Sequence, residues 1–142
     1  MSKYEVVEKF VSINGEGTKA GQLAVFIRFK GCNLNCKYCD TKWANEQETP
    51  SQPMTEKEIL DYVLSTGVKN VTLTGGEPLL REGIENVITV LAENNLNIEI
   101  ETNGSVYLDK IRKLHKENVT FTMDYKLSWS GMEAAMNLQN FD

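Results

Sequence analysis

Cysteine is scarce in this chain of 142 residues, and its three copies, Cys32, Cys36 and Cys39, all fall within the stretch GCNLNCKYCD. An odd number of thiols crowded into one segment excludes a disulfide scaffold, in which paired cysteines are spread along the chain because each bridge stabilises by closing a loop. Positive charge is also in short supply. With 15 basic against 20 acidic residues the net charge is −5, which opposes wrapping a polyanion or lying on an anionic membrane. A small-molecule substrate is expected, with neither nucleic acid nor membrane as partner. No stretch of about eighteen apolar residues occurs. The opening MSKYEVVEKF lacks the basic-then-apolar order of a secretion signal, so a cytoplasmic location, where thiols stay reduced, is expected.

What is present suits one α/β domain. Hydrophobic residues make up 41% and charged residues 25% of the chain, enough for a buried core in a single unit over residues 1–142. KYEVVEKFVSI and LAVFIRF carry a β rhythm on either side of a glycine-rich turn from Gly15 to Gly21. ANEQETPSQP reads as a polar surface connection. Thr55 and Glu58 then have the spacing of a capping box, followed by Ile59, Leu60 and Val63, so a helix starts there. From Asn70 the chain alternates: strand NVTLT, helix Glu82 to Asn94, strand NIEIET, helix Tyr107 to Lys116, strand VTFTMD. In the middle helix Ile84, Val87, Ile88 and Leu91 form one apolar stripe. The final LSWSGMEAAMNLQNFD reads as a further helix.

Strand, helix and strand in alternation imply parallel crossovers, and in parallel sheets ligands gather at the carboxyl ends of the strands. The unusual residues sit at such ends: Arg28, the cysteine loop, Thr74 to Pro78, Glu101 to Gly104, and Asp124 to Lys126. Three clear helices and about five strands are too few for an eight-unit barrel. An open, partial (β/α) barrel with a mostly parallel sheet is expected.

Cys32, Cys36 and Cys39 are spaced C-x3-C-x2-C, which lets three thiolates turn onto one metal centre. Structural zinc would need a fourth ligand, from His115 or a carboxylate. A [4Fe–4S] cluster held at three irons would instead keep its fourth iron open for a substrate or cofactor. Spacing alone leaves both readings standing.

This cysteine loop, with Tyr38 just before the last cysteine and GGEP after a later strand, resembles the radical S-adenosylmethionine (SAM) superfamily. More narrowly, FVSINGEG, VFIRF leading into GCN, CDTKWA, TLTGGEPLL and ETNGS, spread between Val6 and Met132, resemble the 7-carboxy-7-deazaguanine synthase family. The resemblance implies a radical SAM partial barrel that converts 6-carboxytetrahydropterin to 7-carboxy-7-deazaguanine with loss of ammonia, on the route to queuosine. It implies three cofactors, a [4Fe–4S] cluster, S-adenosylmethionine and Mg2+, and no catalytic side chain beyond them. Members of the family run on past this length, so the chain is expected to be shortened at its C-terminus. Where they carry a proline and serines after Asp-x-Lys, this chain has Leu127, Ser128 and Trp129.

Carried over position by position, the resemblance assigns Cys32, Cys36 and Cys39 to the cluster and Thr41 to magnesium, an ion that needs few protein oxygens. It gives S-adenosylmethionine contacts to Tyr38, Cys39 and Asp40, to Gly76 and Glu77, and to Glu101, Asp124, Tyr125 and Lys126. Ile13, Asn14, Gly15, Glu16, Arg28 and Thr74 are matched to the pterin. A carboxamide or carboxylate can read the edge of a pyrimidinone, and a guanidinium can hold the substrate carboxylate bidentately. Plainer readings stand beside these: a turn-capping hydroxyl for Thr41, a strand-to-helix turn for the glycines, a solvated Lys126, and an internal ion pair with a nearby glutamate for Arg28. A flavodoxin- or ferredoxin-like electron donor and a homodimer are expected as partners. Two other functions compete, a glycyl-radical activase of the same superfamily and an inactive metal-binding remnant.

Overall fold

Tyr4–Ile13 (β1) and Leu23–Phe29 (β2) pair antiparallel, closed by the turn in which Asn14 N donates to Gln22 O at 2.8 Å and Gly21 N to Asn14 O at 2.8 Å. The computed structural model describes residues 2–32, 42–114, 116–124, 127 and 130–141. Beyond the hairpin come Gln52–Met54 (β3), Glu56–Thr66 (α1), Asn70–Gly75 (β4), Ile84–Glu93 (α2), Asn97–Thr102 (β5), Asp109–Arg112 (α3) and Val119–Met123 (β6). The six strands form one sheet in the order β3-β1-β2-β4-β5-β6. Its β2–β4, β4–β5 and β5–β6 pairs are parallel. The first and last places in that order are unpaired edges, so the sheet stays open, as expected.

Alternation along the strands gives the sheet two chemically different faces. Val25, Ile27 and Phe29 of β2, Val71 and Leu73 of β4, and Ile98 and Ile100 of β5 pack with Ile59 and Val63 of α1 and the stripe Ile84, Val87, Ile88 and Leu91 of α2. The intervening residues are Phe26 and Arg28, Thr72 and Thr74, Glu99 and Glu101, and Thr120 and Thr122. Thr72 and Glu99 on this second face are nevertheless buried, because the turn after β1 folds over them.

The helix ends follow local chemistry. Thr55 Oγ1 accepts from Glu58 N at 3.2 Å while Glu58 Oε2 accepts from Thr55 N at 2.7 Å, completing the capping box of α1. Gly83, at φ 74°, precedes α2 and starts it two residues later than the pattern indicates.

Three sequence expectations need correction. The polar segment before α1 ends in a strand, β3, whose Pro53 lies opposite Glu5 of β1. An edge position tolerates proline because one side of the strand is unpaired. The helix expected from Tyr107 to Lys116 is a single turn: Ile111 is its one buried residue, and Tyr107 is exposed. Among its described residues the C-terminal segment forms short 3-10 turns, Glu133–Ala135 and Leu138–Phe141 among them, in place of the expected helix. Buried Asn140 ties it down, donating to Gly104 O at 3.2 Å and Val106 O at 2.8 Å and accepting from Leu108 N at 3.0 Å. Among the described residues no helix is long and apolar enough to cross a membrane.

Candidate active site

The carboxyl ends of β2, β4, β5 and β6 lie side by side, and the segments leaving them are bound to one another. Phe29 of β2 pairs with Gly75 of β4, where a Cβ would stand 2.5 Å from the Phe29 carbonyl oxygen. Only glycine permits that approach, and its φ of 148° is one that side-chain-bearing residues rarely adopt. Gly31 O accepts from Glu77 N at 3.0 Å, which fixes the chain just before Cys32 against the turn after β4. Cys32 itself is half-buried.

Glu77 is fully buried, and its carboxylate is used inside the protein. It accepts from Thr102 Oγ1 at 2.9 and 3.0 Å, from Asn103 N at 2.7 Å and from Leu79 N at 3.1 Å. The side chain matched to the cofactor is thus a clamp between the ends of β4 and β5. Asn103, which it holds, donates from Nδ2 to Cys32 Sγ at 3.6 Å.

Below these loops, on the polar face, Thr74 Oγ1 donates to Glu101 Oε2 at 2.7 Å. Burial pushes the Glu101 carboxyl up to about 7; the Thr74 hydrogen bond opposes this, while the charge and hydrogen bonding of Glu16, and the charge of Glu99, add to it. Two carboxyls from distant parts of the chain therefore interact, Glu16 from the turn after β1 and Glu101 from β5.

Deeper still, Asn14 is buried with its carboxamide turned inward. Nδ2 donates to Glu99 Oε2 at 3.1 Å and Oδ1 accepts from Thr72 Oγ1 at 3.1 Å, while Thr122 Oγ1 donates to Glu99 Oε1 at 2.6 Å. Gly17, at φ 76°, lies so close to this carboxylate that a Cβ would overlap it. The carboxamide matched to the ligand edge therefore anchors its own turn, leaving Ile13, Gly15 and Glu16 exposed at the rim. Arg28, opposite Glu8 in the β1–β2 register, places Nε 3.0 Å from Glu8 Oε2. The internal ion pair is present, and among the described residues the two terminal guanidinium nitrogens make no further hydrogen bond.

Asp124 follows β6 and is exposed, its N–H bonded to Thr102 O at 3.0 Å. Cys36, Tyr38, Cys39, Asp40, Thr41, His115, Tyr125, Lys126 and Trp129 lie outside the described residues. Among the described residues no three histidine, cysteine or acidic side chains are grouped to hold a metal. A cavity of about 220 Å³ opens at the other end of the sheet, lined by Lys19, Asn70, Asn97 and Glu99 among others. Asn70 and Asn97 begin β4 and β5, so this cavity is remote from Cys32.

Glu8, Glu99 and Asn103 are site residues that motif reading passed over. A signal for Glu99 was available, since NIEIET places Glu99 and Glu101 two apart and hence on one face of a strand. Glu8 and Asn103 act through cross-strand and loop-to-loop contacts that no local pattern reveals.

The profile of the Radical SAM superfamily matches residues 26–126 of this chain. The chain is 63% identical over 139 residues to a 7-carboxy-7-deazaguanine synthase of Clostridium acetobutylicum, covering 97% of this chain and 62% of that protein. It is 44% identical over 101 residues to a 7-carboxy-7-deazaguanine synthase of Rhodopirellula baltica, covering 71% of this chain and 39% of that protein. The crystal structure of QueE from Escherichia coli superposes with a TM-score of 0.72 at 25% identity, over 88% of this chain and 60% of that one. The chain thus spans less than two thirds of the length of each of these relatives.

Proposed function

This chain belongs to the radical SAM superfamily, and on that premise we propose that it converts 6-carboxytetrahydropterin to 7-carboxy-7-deazaguanine with loss of ammonia. Membership implies a [4Fe–4S] cluster and S-adenosylmethionine. The residues suit that pair: Cys32, first of three cysteines close together in the sequence, sits at the carboxyl end of a parallel strand, beside a glycine turn held to it by the Gly31–Glu77 hydrogen bond. Bound there, the two groups would supply one-electron cleavage of the sulfonium and hence hydrogen abstraction from the substrate.

The observation that carries the reading is the meeting of Thr74, Glu101 and Glu16 at the carboxyl ends of β4 and β5. Loss of ammonia needs a proton on the departing nitrogen, and a carboxyl with a pKa of about 7 both holds and releases one at neutral pH. Glu101 is assigned that proton, with Thr74 orienting it and Glu16 keeping it from full ionisation. Arg28, steadied by Glu8 through Nε, offers its remaining nitrogens to the substrate carboxylate. With the Glu77 carboxylate committed internally, contact with S-adenosylmethionine falls to the Gly76 backbone, and Asp124, Tyr125, Lys126, Tyr38 and Asp40 complete that side. Thr41 is assigned to Mg2+, which also binds the substrate carboxylate. A low-potential flavodoxin- or ferredoxin-like donor, a homodimer and a cytoplasmic location belong to the same reading.

Anaerobic reconstitution, followed by reduction with S-adenosylmethionine and 6-carboxytetrahydropterin, tests it. Formation of 7-carboxy-7-deazaguanine is expected. Cleavage of S-adenosylmethionine with the pterin untouched would remove the substrate assignment, and glycyl-radical formation on a partner would replace it.

A further inference from the structure

Asn103 has no role in the reading above, yet its carboxamide is tightly held near Cys32. It is 7% exposed. Its Oδ1 accepts from Ser105 N at 3.0 Å and from Ser105 Oγ at 2.6 Å, and its backbone N–H is held by Glu77 Oε2 at 2.7 Å. Rotating the amide by half a turn would set its NH2 group against the Ser105 N–H and lose both acceptor contacts, so the sense of the carboxamide is fixed. The group directed at Cys32 Sγ, 3.6 Å away, is therefore an N–H donor and not an oxygen.

We propose that Asn103 is a positioning residue which donates a hydrogen bond to the Cys32 sulfur when that sulfur ligates the cluster, and thereby raises the cluster's reduction potential. The proposal rests on the cluster reading above. A donor at a ligating sulfur draws electron density from it, and so favours the reduced, more negative cluster over the oxidised one. Glu77 makes the effect dependable, because its buried carboxylate holds the Asn103 backbone while Ser105 holds the side chain. The buried Glu77 carboxylate holds Asn103 after β5, while the Glu77 backbone N–H donates to Gly31 O after β2, so this residue fixes both loops against each other around Cys32.

The test compares the anaerobically reconstituted wild type with Asn103→Ala and Asn103→Asp. The aspartate keeps an oxygen for Ser105 and the backbone N–H for Glu77 but has no N–H to give. Cluster potential is read by reductive titration followed by electron paramagnetic resonance, and the donor is sought as a solvent-exchangeable proton coupled to the reduced cluster. Both variants are expected to lose that proton coupling and to hold about tenfold less reduced cluster at a fixed solution potential, a fall of about 59 mV for one electron. Ser105→Ala, which only loosens the amide, is expected to shift the potential in the same direction by less. An Asn103 variant with its full iron content, an unchanged potential and an unchanged proton coupling overturns the proposal. If Asn103→Ala does not retain iron, Asn103→Asp and Ser105→Ala decide on the same two readouts. A wild type that takes up no four-iron cluster fails by its iron content, which overturns the cluster reading together with the inference that rests on it.

Discussion

Thr102 points its hydroxyl at both carboxylate oxygens of Glu77, at 2.9 and 3.0 Å, across the ends of two neighbouring parallel strands. The carboxylate has no exposure to solvent, so these contacts and the Leu79 and Asn103 amides replace water for it. Glu77→Gln puts an NH2 group where one of those donors points. A loss of roughly 2 kcal/mol is expected, the usual cost of leaving a buried donor unmatched, measured as a lower urea midpoint at unchanged m-value.

Glu101 makes stability depend on pH in a direction opposite to that of an ordinary ion-paired carboxylate. Its value is raised from 4.5 to about 7, first by burial, so between those limits the folded chain holds a proton that the unfolded chain has released. Stability contributed by the protonated form is complete below the unfolded value and is lost as pH rises through the folded one. Urea titrations at about pH 5 and about pH 8 are expected to show this decline in the wild type and a weaker one in Glu101→Gln. An equal decline in both would assign the pH dependence to another group.

Arg28 and Glu8 form a partly exposed pair, with side chains 16% and 38% accessible. Such pairs contribute about 1 kcal/mol or less, so Arg28→Ala is expected to leave the unfolding midpoint nearly unchanged. If the free guanidinium nitrogens hold the substrate carboxylate, the same variant raises KM for the pterin about 100-fold, in keeping with loss of a charge-assisted pair worth about 1.5–3 kcal/mol. S-adenosylmethionine cleavage without the pterin is expected to persist, and steady-state assays of the two products separate these outcomes.

Gly75→Ala tests the seam between β2 and β4. The added methyl would stand 2.5 Å from the Phe29 carbonyl oxygen, so the strands must part where the cysteine loop begins. A destabilisation of about 1–3 kcal/mol is expected from overpacking, with poorer iron incorporation than in Gly21→Ala, where a Cβ meets nothing within 4 Å. Both glycines have positive φ, 84° at Gly21 and 148° at Gly75, so backbone strain enters both variants, while the contact with Phe29 belongs to Gly75 alone.

Much of the frame was legible because its signals are local. The Thr55–Glu58 capping box, the Ile84 to Leu91 stripe and the alternation of NIEIET each arise from residues within a turn or two of one another, and all three appear in the structure. β3 was not legible, since a three-residue strand beside Glu5 and Val6 is created by its partner and not by its own composition. Asn14 was placed in the turn after β1, but its protein partners Glu99 and Thr72, more than fifty residues along the chain, were not legible. The Cys32–Asn103 contact, between residues 71 apart, escaped for the same reason. Sequence patterns report what a segment does to itself, whereas this site is assembled from strand ends.

The sheet's two faces divide the work of the molecule. Its helix-facing wall of valine, leucine and isoleucine holds the core together, while the opposite wall carries threonine, glutamate and arginine. Because neighbouring residues on each strand face opposite ways, the second wall is open to replacement without disturbing the first. Substitutions on the polar wall therefore leave the apolar side chains of the other wall in place, and their effect on stability comes through the hydrogen bonds and charges they alter, such as the Thr74–Glu101 contact.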